Sequence, residues 1–377
     1  KPQVLLVTND FGPRAGGIET FIIGLLERMP KGKVVVYTSS QEGSDSYDQS
    51  WLENFGVKVY RDRTRILLPT PRVISKLRAV IRSEGIETIW FGAAAPLALS
   101  SRWLRIAQVK RIVALTHGHE VWWSNVPPFS LLMREMGRTV DYFGFLGEYT
   151  RRALQRSIPT EKLVRIAPGI DVEHFTPGDS ENLRRNLGLE NKRVIVSVGR
   201  LVHRKGQDRL IEALPTIRKR FPDCVLLMIG QGPYREYLDE LALKLGVKEH
   251  VHFIGRISYE ELPRYLRVGE LFAMPSRSRF FGLEVEGLGI VYLEASAVGL
   301  PVIAGDSGGA PDAVLEGETG FVVPGNDIDL IAARCIEILE NESLRKSMSQ
   351  RGRQFAIDKW RWENWSKEFN AIVLNEK

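Results

Sequence analysis

The feature that most constrains the fold of this chain is an alternation of short apolar runs with amphipathic stretches, which begins at residue 4 and starts again at residue 193. Uninterrupted apolar runs are typical of parallel strands, because helices cover such a sheet on both faces. Amphipathic helical patterns separate the runs, as at 18–28, 73–83 and 149–156. In the first half the predicted strands are 4–8, 33–37, 88–91, 111–115, 142–146 and 164–167.

The second half repeats the pattern after a linker at 167–178 that contains Pro and Gly. The sequence therefore predicts an α/β chain of two Rossmann-like, doubly wound domains that face a cleft, at 1–168 and 169–355. A last helix at about 356–377 is expected to pack back on the first domain. The predicted strands and helices of the second half are, in chain order, 193–198, 207–220, 225–229, 233–245, 251–254, 259–266, 271–274, 289–298 and 301–304.

The net charge of +6 is unevenly distributed. Residues 1–168 carry 24 Lys and Arg against 15 Asp and Glu, whereas the remainder carries 28 against 31. A basic half favours an anionic partner, either nucleic acid or acidic lipid, and a solvated face is the alternative. No nucleic-acid-binding module is recognisable, so nucleic acid is not expected. The densest basic stretch, 58–82, has Asp62 as its one acid and the cations Lys58, Arg61, Arg63, Arg65, Arg72, Lys76, Arg78 and Arg82.

The composition is that of a globular protein, with 44% hydrophobic and 26% charged residues. No apolar run approaches the ~20 residues that span a membrane. The first residues are strand-like and lack the apolar core and cleavage site of a signal peptide. The two cysteines, Cys224 and Cys335, fall in a predicted strand and a predicted helix. We expect buried, reduced thiols and a cytoplasmic protein.

Gly16 and Gly17 lie in the loop between the first predicted strand and the first predicted helix. Glycines there let the backbone approach a ligand closely and offer free N–H groups. The loop lacks the G-x-G-x-x-G spacing of nicotinamide dehydrogenases and the Lys-Ser/Thr of a nucleotide P-loop. It predicts either a turn that approaches another ligand or a tight turn without one.

His117 follows the predicted strand 111–115, in the sequence Thr116-His117-Gly118-His119-Glu120. This places it at the carboxyl edge of the sheet, where open α/β folds bind ligands. Two histidines beside a glutamate suggest a metal, but no third ligand cluster is visible and no metal is expected. His117 is predicted to contact a sugar, with a structural histidine as the alternative.

Arg200 and Lys205 follow the first predicted strand of the second half. Two cations at that edge can neutralise the charge that builds on a departing diphosphate, although two surface cations are the alternative. The loops at 230–233 and 255–258 follow further strands at the same predicted edge. Their backbone groups are candidates for contacts with a nucleotide base.

Glu286 and Glu294 bracket a stretch that is predicted to enter a helix near Gly289. The free N–H groups and the positive dipole end of such a helix favour an anion. The two carboxylates can accept hydrogen bonds from hydroxyl groups. The motif therefore predicts a site for a sugar linked to a diphosphate.

Taken in order, these motifs resemble the retaining glycosyltransferases of the large GT-B family 4, over nearly the whole chain. The resemblance implies two Rossmann-like domains, a sugar-nucleotide donor held by the C-terminal one, and no cofactor or metal. The family has Phe where Leu288 stands, and this change keeps an apolar side chain. The motifs are Gly16-Gly17, His117, Arg200 with Lys205, Gly255-Arg256 and Glu286-x7-Glu294.

The resemblance also implies roles for the four charged residues. Arg200 and Lys205 would bind the donor pyrophosphate and stabilise it as it leaves. Glu294 would accept hydrogen bonds from the ribose and Glu286 from the transferred sugar. Glu286 as a nucleophile is the alternative to a same-face transfer in which the leaving phosphate helps to deprotonate the acceptor.

The resemblance implies further contacts on both domains. Gly16 and Gly17 would let the N-terminal domain close on the diphosphate, and His117 would touch the sugar from the acceptor side. Arg256 and Ile257 would flank the base. The backbone N–H groups that would meet the phosphates and the sugar belong to Leu288, Gly289, Ile290 and Val291.

Within the family, the segments NDFGPRAGGIETF, THGHEVWW and IAPGIDVEHFTPG are similar to GDP-mannose-dependent mannosyltransferases of phosphatidylinositol mannosides, and also to other lipid and polysaccharide mannosyltransferases. The implied partners are the sugar nucleotide and an anionic phospholipid acceptor. The chain itself would be a peripheral protein on the inner face of the plasma membrane. The stretch 61–82, with Ile66-Leu67-Leu68, would lie on anionic lipid.

Three alternatives stay open. The first is a family 4 enzyme with a UDP- or ADP-hexose donor and a soluble or polysaccharide acceptor. The second is a GT-B sugar-nucleotide epimerase, which shares the layout. The third is a two-domain sugar-binding protein without catalysis, which would not need Arg200, Lys205 and Glu286 together.

Overall fold

The computed structural model describes residues 1–14, 16–282 and 284–376, so the predicted glycine loop and the predicted last helix are described except at Ala15 and Lys377. The chain forms two compact units. The first is Lys1–Gly169 with Trp362–Lys377, and the second is Ile170–Arg361. The C-terminal segment joins the first unit at 362 and not at the expected 356, because the helix that ends at Lys359 packs within the second unit.

The first unit contains a sheet of seven parallel strands in the order β3-β2-β1-β4-β5-β6-β7. From β1 the chain first adds β2 and β3 on one side of the sheet and then returns to add β4 on the other side of β1. This reversal of direction is typical of a doubly wound fold. The strands are β1 Val4–Thr8, β2 Val34–Thr38, β3 Lys58–Arg61, β4 Thr88–Phe91, β5 Arg111–Leu115, β6 Tyr142–Phe145 and β7 Leu163–Arg165.

Both faces of this sheet are buried. Along β1, Leu5 and Val7 join one hydrophobic cluster, whereas Val4 and Leu6 join a second one. Successive side chains of a strand point to opposite faces, so the two clusters lie on the two sides of the sheet. The helices of the unit are α1 Gly17–Leu26, α2 Ser44–Phe55, α3 Pro71–Glu84, α4 Ser101–Leu104, α5 Glu120–Asn125, α6 Phe129–Thr139, α7 Glu148–Leu154 and α15 Trp362–Val373.

Helix α3 shows how local sequence sets these elements. The Thr70 hydroxyl accepts a hydrogen bond from the Val73 N–H at 3.4 Å, and Pro71 occupies the first helical position. The helix ends at Gly85, whose φ of +70° is a left-handed conformation that favours glycine. Its apolar side, which includes Leu77, is buried.

Helix α15 packs on the first unit through aromatic side chains. The Phe369 ring lies 4.7 Å from the Trp90 ring, centroid to centroid. Trp362 fills the space beside Gly24, where an added Cβ would come within 2.2 Å of the indole. The Arg28 guanidinium covers the same indole at 4.7 Å.

The second unit contains a sheet of six parallel strands in the order β10-β9-β8-β11-β12-β13. With the first sheet, this confirms the predicted fold class of two Rossmann-like, doubly wound α/β domains. The strands are β8 Arg193–Val198, β9 Cys224–Ile229, β10 Val251–Gly255, β11 Leu271–Met274, β12 Val302–Gly305 and β13 Gly320–Val323. The helices are α8 Glu181–Asn186, α9 Gln207–Arg220, α10 Arg235–Lys244, α11 Leu262–Leu266, α12 Ile290–Ala297, α13 Ile328–Glu340 and α14 Glu342–Lys359.

Both cysteines are buried and unpaired, as predicted. Burial raises the pKa of the Cys224 thiol to about 12. In the part of the chain that the structure describes, no helix combines the length and the apolar character needed to cross a bilayer.

Candidate active site

The candidate site of the second unit lies where β8 and β11, adjacent strands, end at the same edge of the sheet. Open α/β sheets bind ligands at such a switch point. Gly206 has a φ of +73°, and a Cβ there would come within 2.0 Å of the Pro275 carbonyl oxygen. The loop after β8 and the loop after β11 therefore touch at a position that only glycine fits.

Lys205 and Glu286 form an ion pair at this edge. The Lys205 Nζ donates to the Glu286 Oε2 at 2.7 Å, and the two side chains are only 11% and 10% exposed. The Arg204 Nη1 lies 3.7 Å from the same oxygen. The fold thus brings together Lys205 and Glu286, two predicted site residues that are far apart along the chain. Their environment is partly desolvated, so their charges interact strongly.

The backbone of Glu286 is held by the loop after β12. The Glu286 N–H donates to the Ser307 Oγ at 3.0 Å, and the Gly309 N–H donates to the Glu286 carbonyl at 2.9 Å. Gly308 has a φ of +54°, and a Cβ there would come within 2.2 Å of that carbonyl oxygen. Sequence reasoning missed this loop, although a Ser-Gly-Gly sequence one residue after the end of a strand is a recognisable signal.

Helix α12 begins as predicted, directly after a glycine. Gly289 has a φ of +73°, and no side chain caps the helix. The first N–H groups of such a helix have no partner within it, so those of Ile290 and Val291 are available to an anion. The Leu288 side chain is buried, so its backbone is the part that a ligand would meet. The Tyr292 hydroxyl fixes this end of the helix by donating to the Met274 carbonyl at 2.6 Å.

Glu294 lies in the second turn of α12 and is 9% exposed. Its carboxyl group makes no hydrogen bond or ion pair with the residues that the structure describes. Burial raises its pKa to about 7. A buried carboxyl without donors is costly, and groups with such a raised pKa are concentrated at functional sites.

Arg200 and Arg256 are exposed, and Ile257 is half-buried. Neither arginine side chain has an ion pair among the residues described. Their loops lie on either side of the loop that follows β9: the Gly230 N–H donates to the Gly255 carbonyl at 2.8 Å, and the Leu201 N–H donates to the Gln231 carbonyl at 3.0 Å.

Arg277 is a further residue that sequence reasoning missed. It is 2% exposed, and its Nη2 donates to the Asp208 Oδ2 at 2.8 Å while its Nε faces the His203 Nδ1 at 3.2 Å. Its backbone N–H donates to the Arg204 carbonyl at 2.8 Å. Arg277 therefore ties the loop after β11 to the turn that bears Lys205.

In the first unit, His117 is held by its neighbours at the end of β5. Its Nε2–H donates to the Gly92 carbonyl at 2.6 Å, which fixes the tautomer, and its backbone N–H donates to the Glu120 Oε2 at 2.9 Å. Burial lowers the pKa of His117, so the ring is neutral near pH 7. Its expected contact with a sugar stays a prediction.

Gly16 precedes α1 in an extended conformation, and Gly17 is the first residue of the helix. A Cβ at Gly16 would come within 2.3 Å of the Glu19 Oε2, whereas a Cβ at Gly17 would meet open space. The Arg14 Nε donates to the Glu19 Oε1 at 3.0 Å. The expected contact of this loop with a diphosphate stays a prediction.

No group of three or more His, Cys, Asp or Glu side chains suited to a metal ion occurs among residues 1–14, 16–282 and 284–376.

Three of the eight cations in the basic stretch 58–82 form ion pairs with residues that the structure describes. Lys58 pairs with Glu84 at 2.7 Å, Arg61 with Asp48 at 2.6 Å and Arg72 with Asp62 at 2.8 Å. The structure also corrects the expectation for the apolar residues of this stretch. Ile66 and Leu68 are 67% and 51% exposed, but Leu67 is fully buried.

Comparison with known proteins relates both units to one family. Residues 179–355 match the model of "Glycosyl transferases group 1", and residues 15–174 match that of "Glycosyltransferase Family 4". A Mycolicibacterium smegmatis GDP-mannose-dependent alpha-(1-6)-phosphatidylinositol monomannoside mannosyltransferase is 45% identical over 95% of each chain. A Corynebacterium glutamicum GDP-mannose-dependent monoacylated alpha-(1-6)-phosphatidylinositol monomannoside mannosyltransferase is 38% identical over 99% of this chain and 98% of its own.

Solved structures share the fold at low sequence identity. Anabaena Alr3699/HepE, crystallised with UDP, is 19% identical over the full length of both chains, with a TM-score of 0.81. WaaG, a glycosyltransferase involved in lipopolysaccharide biosynthesis, is 17% identical over 98% of this chain and 99% of its own, with a TM-score of 0.69. The predicted fold class is therefore confirmed a second time. With relatives this similar over almost its whole length, the chain belongs to the family 4 (group 1) glycosyltransferases and is a glycosyltransferase.

Proposed function

We propose that this protein is a retaining α-mannosyltransferase that moves mannose from GDP-mannose to a phosphatidylinositol monomannoside. The names of the relatives described above support the donor and the acceptor. The observation that carries the proposal is the arrangement in the second unit, where the Lys205–Glu286 pair lies beside the uncapped start of α12 and Glu294 is a buried carboxyl without a donor. Cation, free N–H groups and carboxyl acceptors are what a diphosphate linked to two sugars needs.

In this proposal the donor diphosphate meets the N–H groups at the start of α12, and Lys205 and Arg200 stabilise the charge that develops as it leaves. Arg256 and Ile257 flank the base. Glu294 accepts hydrogen bonds from the ribose, which supplies the donors that the buried carboxyl lacks. Because protein cations supply the charge neutralisation, no metal and no cofactor enter the reaction.

We propose that retention follows from a same-face transfer. The bond between C1 of the mannose and the phosphate oxygen breaks, and its electron pair leaves with the diphosphate. The acceptor hydroxyl oxygen bonds to C1 from the same face and gives its proton to the departing phosphate oxygen. Glu286 holds sugar hydroxyls, since a carboxylate already paired with Lys205 at 2.7 Å is a poorer nucleophile than a free one.

A trapping experiment separates this route from a covalent one. The protein is incubated with a donor analogue whose leaving group departs quickly and whose sugar is transferred slowly to the acceptor. Intact-mass and peptide analysis should then show no sugar adduct. A hexosyl adduct on Glu286 would contradict the same-face route.

We further propose that the protein works as a peripheral protein on the inner face of the plasma membrane, through an apolar groove beside α3. The groove has a volume of about 670 Å³ and contains Ile74 and Trp103 with the cations Arg78 and Arg82. Exposed apolar side chains beside cations favour the interface of an anionic bilayer. The fraction of protein that sediments with vesicles should increase with the content of acidic lipid and decrease with salt. A fraction that does not depend on acidic lipid would exclude this surface as a membrane-binding site.

The function is tested by incubating the purified chain with GDP-mannose and a phosphatidylinositol monomannoside. The acceptor mass should rise by one hexose as GDP forms. Lys205→Ala should lower the rate by about 100-fold, whereas Lys244→Ala, an exposed lysine at the end of α10, should leave it unchanged. An isomerised donor with unchanged acceptor would identify an epimerase. Product from a UDP- or ADP-hexose and none from GDP-mannose would identify a different donor.

A further inference from the structure

The segment that joins β11 to Glu286 folds back on itself in a short hairpin. The Arg279 N–H donates to the Glu284 carbonyl at 2.8 Å, and the Glu284 N–H donates to the Arg279 carbonyl at 3.2 Å, so the two residues form one antiparallel pair. An ion pair between their side chains at 3.3 Å adds to this closure. The hairpin closed by this pair leads directly into the Glu286 motif.

The hairpin is fixed to the candidate active site by polar contacts. The Arg204 guanidinium lies between two carboxylates, with its Nε 3.6 Å from the Glu284 Oε1 and its Nη1 3.7 Å from the Glu286 Oε2. Just before the hairpin, the Ser278 and Ser307 hydroxyls are 3.2 Å apart, and the Ser307 hydroxyl accepts from the Glu286 N–H. The carboxylate of the hairpin and that of the site thus flank one guanidinium, so the hairpin borders the position proposed for the transferred sugar.

Phe280 occupies the turn of this hairpin and is 60% exposed. The Arg279 guanidinium lies over its ring, 4.6 Å from the centroid, and so covers one face of the ring. The φ of Phe280 is +50°, in the left-handed region that a bulky side chain adopts only at a cost. Such strain is concentrated at ligand-binding sites, and a large apolar side chain held in this way beside an active site is a candidate for contact with a ligand.

We propose that the Phe280 ring stacks on the mannose of the acceptor and is a specificity-determining residue for it. In the proposed function the acceptor hydroxyl approaches C1 of the transferred sugar, whose hydroxyls Glu286 holds, so the acceptor sugar must lie close to Glu286. The C–H face of a pyranose is its apolar side, and a flat aromatic ring covers such a face with little loss of side-chain entropy. The inference rests on the proposed function, since that function supplies an acceptor that carries a mannose.

Polar groups beside the ring favour a sugar over a bilayer. Arg279, Glu284 and Arg204 form a chain of ion pairs there, and a guanidinium has five N–H donors that can also serve the hydroxyls of a sugar. An aromatic face with hydrogen-bonding groups at its edge is typical of a small-molecule site. Insertion into a bilayer would carry the guanidinium on the ring toward the hydrocarbon, which is costly. The turn has the apolar sequence Phe-Phe-Gly-Leu at 280–283, so bilayer contact is the alternative that the test separates.

The test uses the full chain saturated with GDP, so that no transfer occurs, and dihexanoyl phosphatidylinositol monomannoside as a soluble acceptor in isothermal calorimetry. Phe280→Ala should weaken acceptor binding by about 10-fold, and Phe280→Tyr, which keeps the ring, should stay within about 2-fold of the wild type. The matched control is Leu243→Ala, which removes another exposed apolar side chain of the same unit and should change the affinity by less than about 2-fold. Thermal unfolding checks that every variant folds.

Two further titrations identify what the ring contacts. Dihexanoyl phosphatidylinositol, which lacks the mannose, should bind the wild type and Phe280→Ala with the same affinity, and so should GDP. An equal loss of affinity for the lipid without mannose would overturn the proposal, because it would place the ring on the lipid part of the acceptor. A loss of affinity for GDP would overturn it by placing the ring on the donor, and unchanged binding of the mannosylated acceptor by Phe280→Ala would also overturn it.

Mannose transfer by the wild-type protein is measured separately and decides the proposed function. Transfer by the wild type, together with acceptor binding that does not depend on Phe280, refutes this inference alone. Acceptor binding that depends on both Phe280 and the mannose, without transfer from GDP-mannose, refutes the proposed function alone.

Discussion

Replacing Glu294 by Gln should stabilise the ligand-free protein and, at the same time, weaken its binding of the donor. Gln keeps the size of the side chain and removes the ionisable group. Burial raises the pKa of Glu294 from 4.5 to about 7, so above neutral pH the folded protein must hold a buried carboxylate that no described residue stabilises. At ~1.4 kcal/mol for each tenfold change in an ionisation constant, the penalty is about 3 kcal/mol.

The sign of the pH dependence follows from proton binding. Between about pH 4.5 and pH 7 the folded state keeps the proton on Glu294 that the unfolded state has lost, so the stability of the wild type falls as pH rises through this range. Below about pH 4 neither state is charged there and the penalty is absent. Above about pH 8 the full penalty of about 3 kcal/mol applies, and the Gln variant never incurs it.

The assay is thermal unfolding of wild type and Glu294→Gln at several pH values from 5 to 8.5. The unfolding temperature of the second unit should differ little at pH 5 and by about 6–10 °C at pH 8.5, in favour of the variant. Titration with GDP should show weaker binding by the variant. In the wild type, GDP binding near pH 7 should release a proton from Glu294, because the ribose hydroxyls stabilise its ionised carboxylate. A stability difference that is the same at every pH would refute the reasoning.

Three further predictions concern other parts of the molecule. Gly308→Ala should lower turnover by at least about 10-fold, since the new Cβ would displace the Glu286 carbonyl. Gly317→Ala is its control, because Gly317 has a φ of +74° with nothing within 4 Å, and full activity of both variants in the mass assay would contradict the role of the loop. Arg277→Lys should lower turnover more than it raises the Michaelis constant for the donor, since a lysine cannot bridge Asp208 and His203 together; a change in the Michaelis constant alone would point to a direct donor contact. Iodoacetamide should not modify Cys224 in the native protein at pH 8, because burial raises its pKa to about 12, and mass analysis that finds rapid modification would show that the core opens.

Apolar strands could be predicted from the sequence to within one or two residues, but two strands were missed for physical reasons. Strand β3, Lys58–Arg61, is at the edge of its sheet and is charged at both ends, so it does not form an apolar run. Strand β13, Gly320–Val323, is at the other sheet's edge, and its apolar run is only the three residues between Gly320 and Pro324. Strand β3 buries little of its surface, so it does not need the apolar pattern by which strands are recognised.

The Lys205–Glu286 contact was within reach of sequence reasoning because topology enforces it. Both residues follow strands of one parallel sheet, and β8 and β11 are neighbours in the doubly wound order. The burial of the Leu288 side chain and the pairing of Arg61 with Asp48 could not be predicted from the sequence. Both depend on how the loops that follow different strands pack.

The residues that sequence reasoning missed in the candidate site act mainly through the main chain or from the interior. In the loop Ser307-Gly308-Gly309, the Ser307 hydroxyl accepts from the Glu286 N–H and the Gly309 N–H donates to the Glu286 carbonyl, and Gly308 has no side chain that would collide with that carbonyl. Arg277 lies beneath the turn that bears Lys205. A search for charged or nucleophilic residues cannot detect the two glycines of the loop, since their chemistry is that of any backbone, and it does not single out Arg277 among the 52 Lys and Arg residues of the chain. Yet they determine where the Glu286 carboxylate meets the Lys205 ammonium, and a displacement of about 1 Å there is enough to lower a rate by ~100-fold. The position of the charges is therefore encoded as much in the glycines after β12 as in the charged residues themselves.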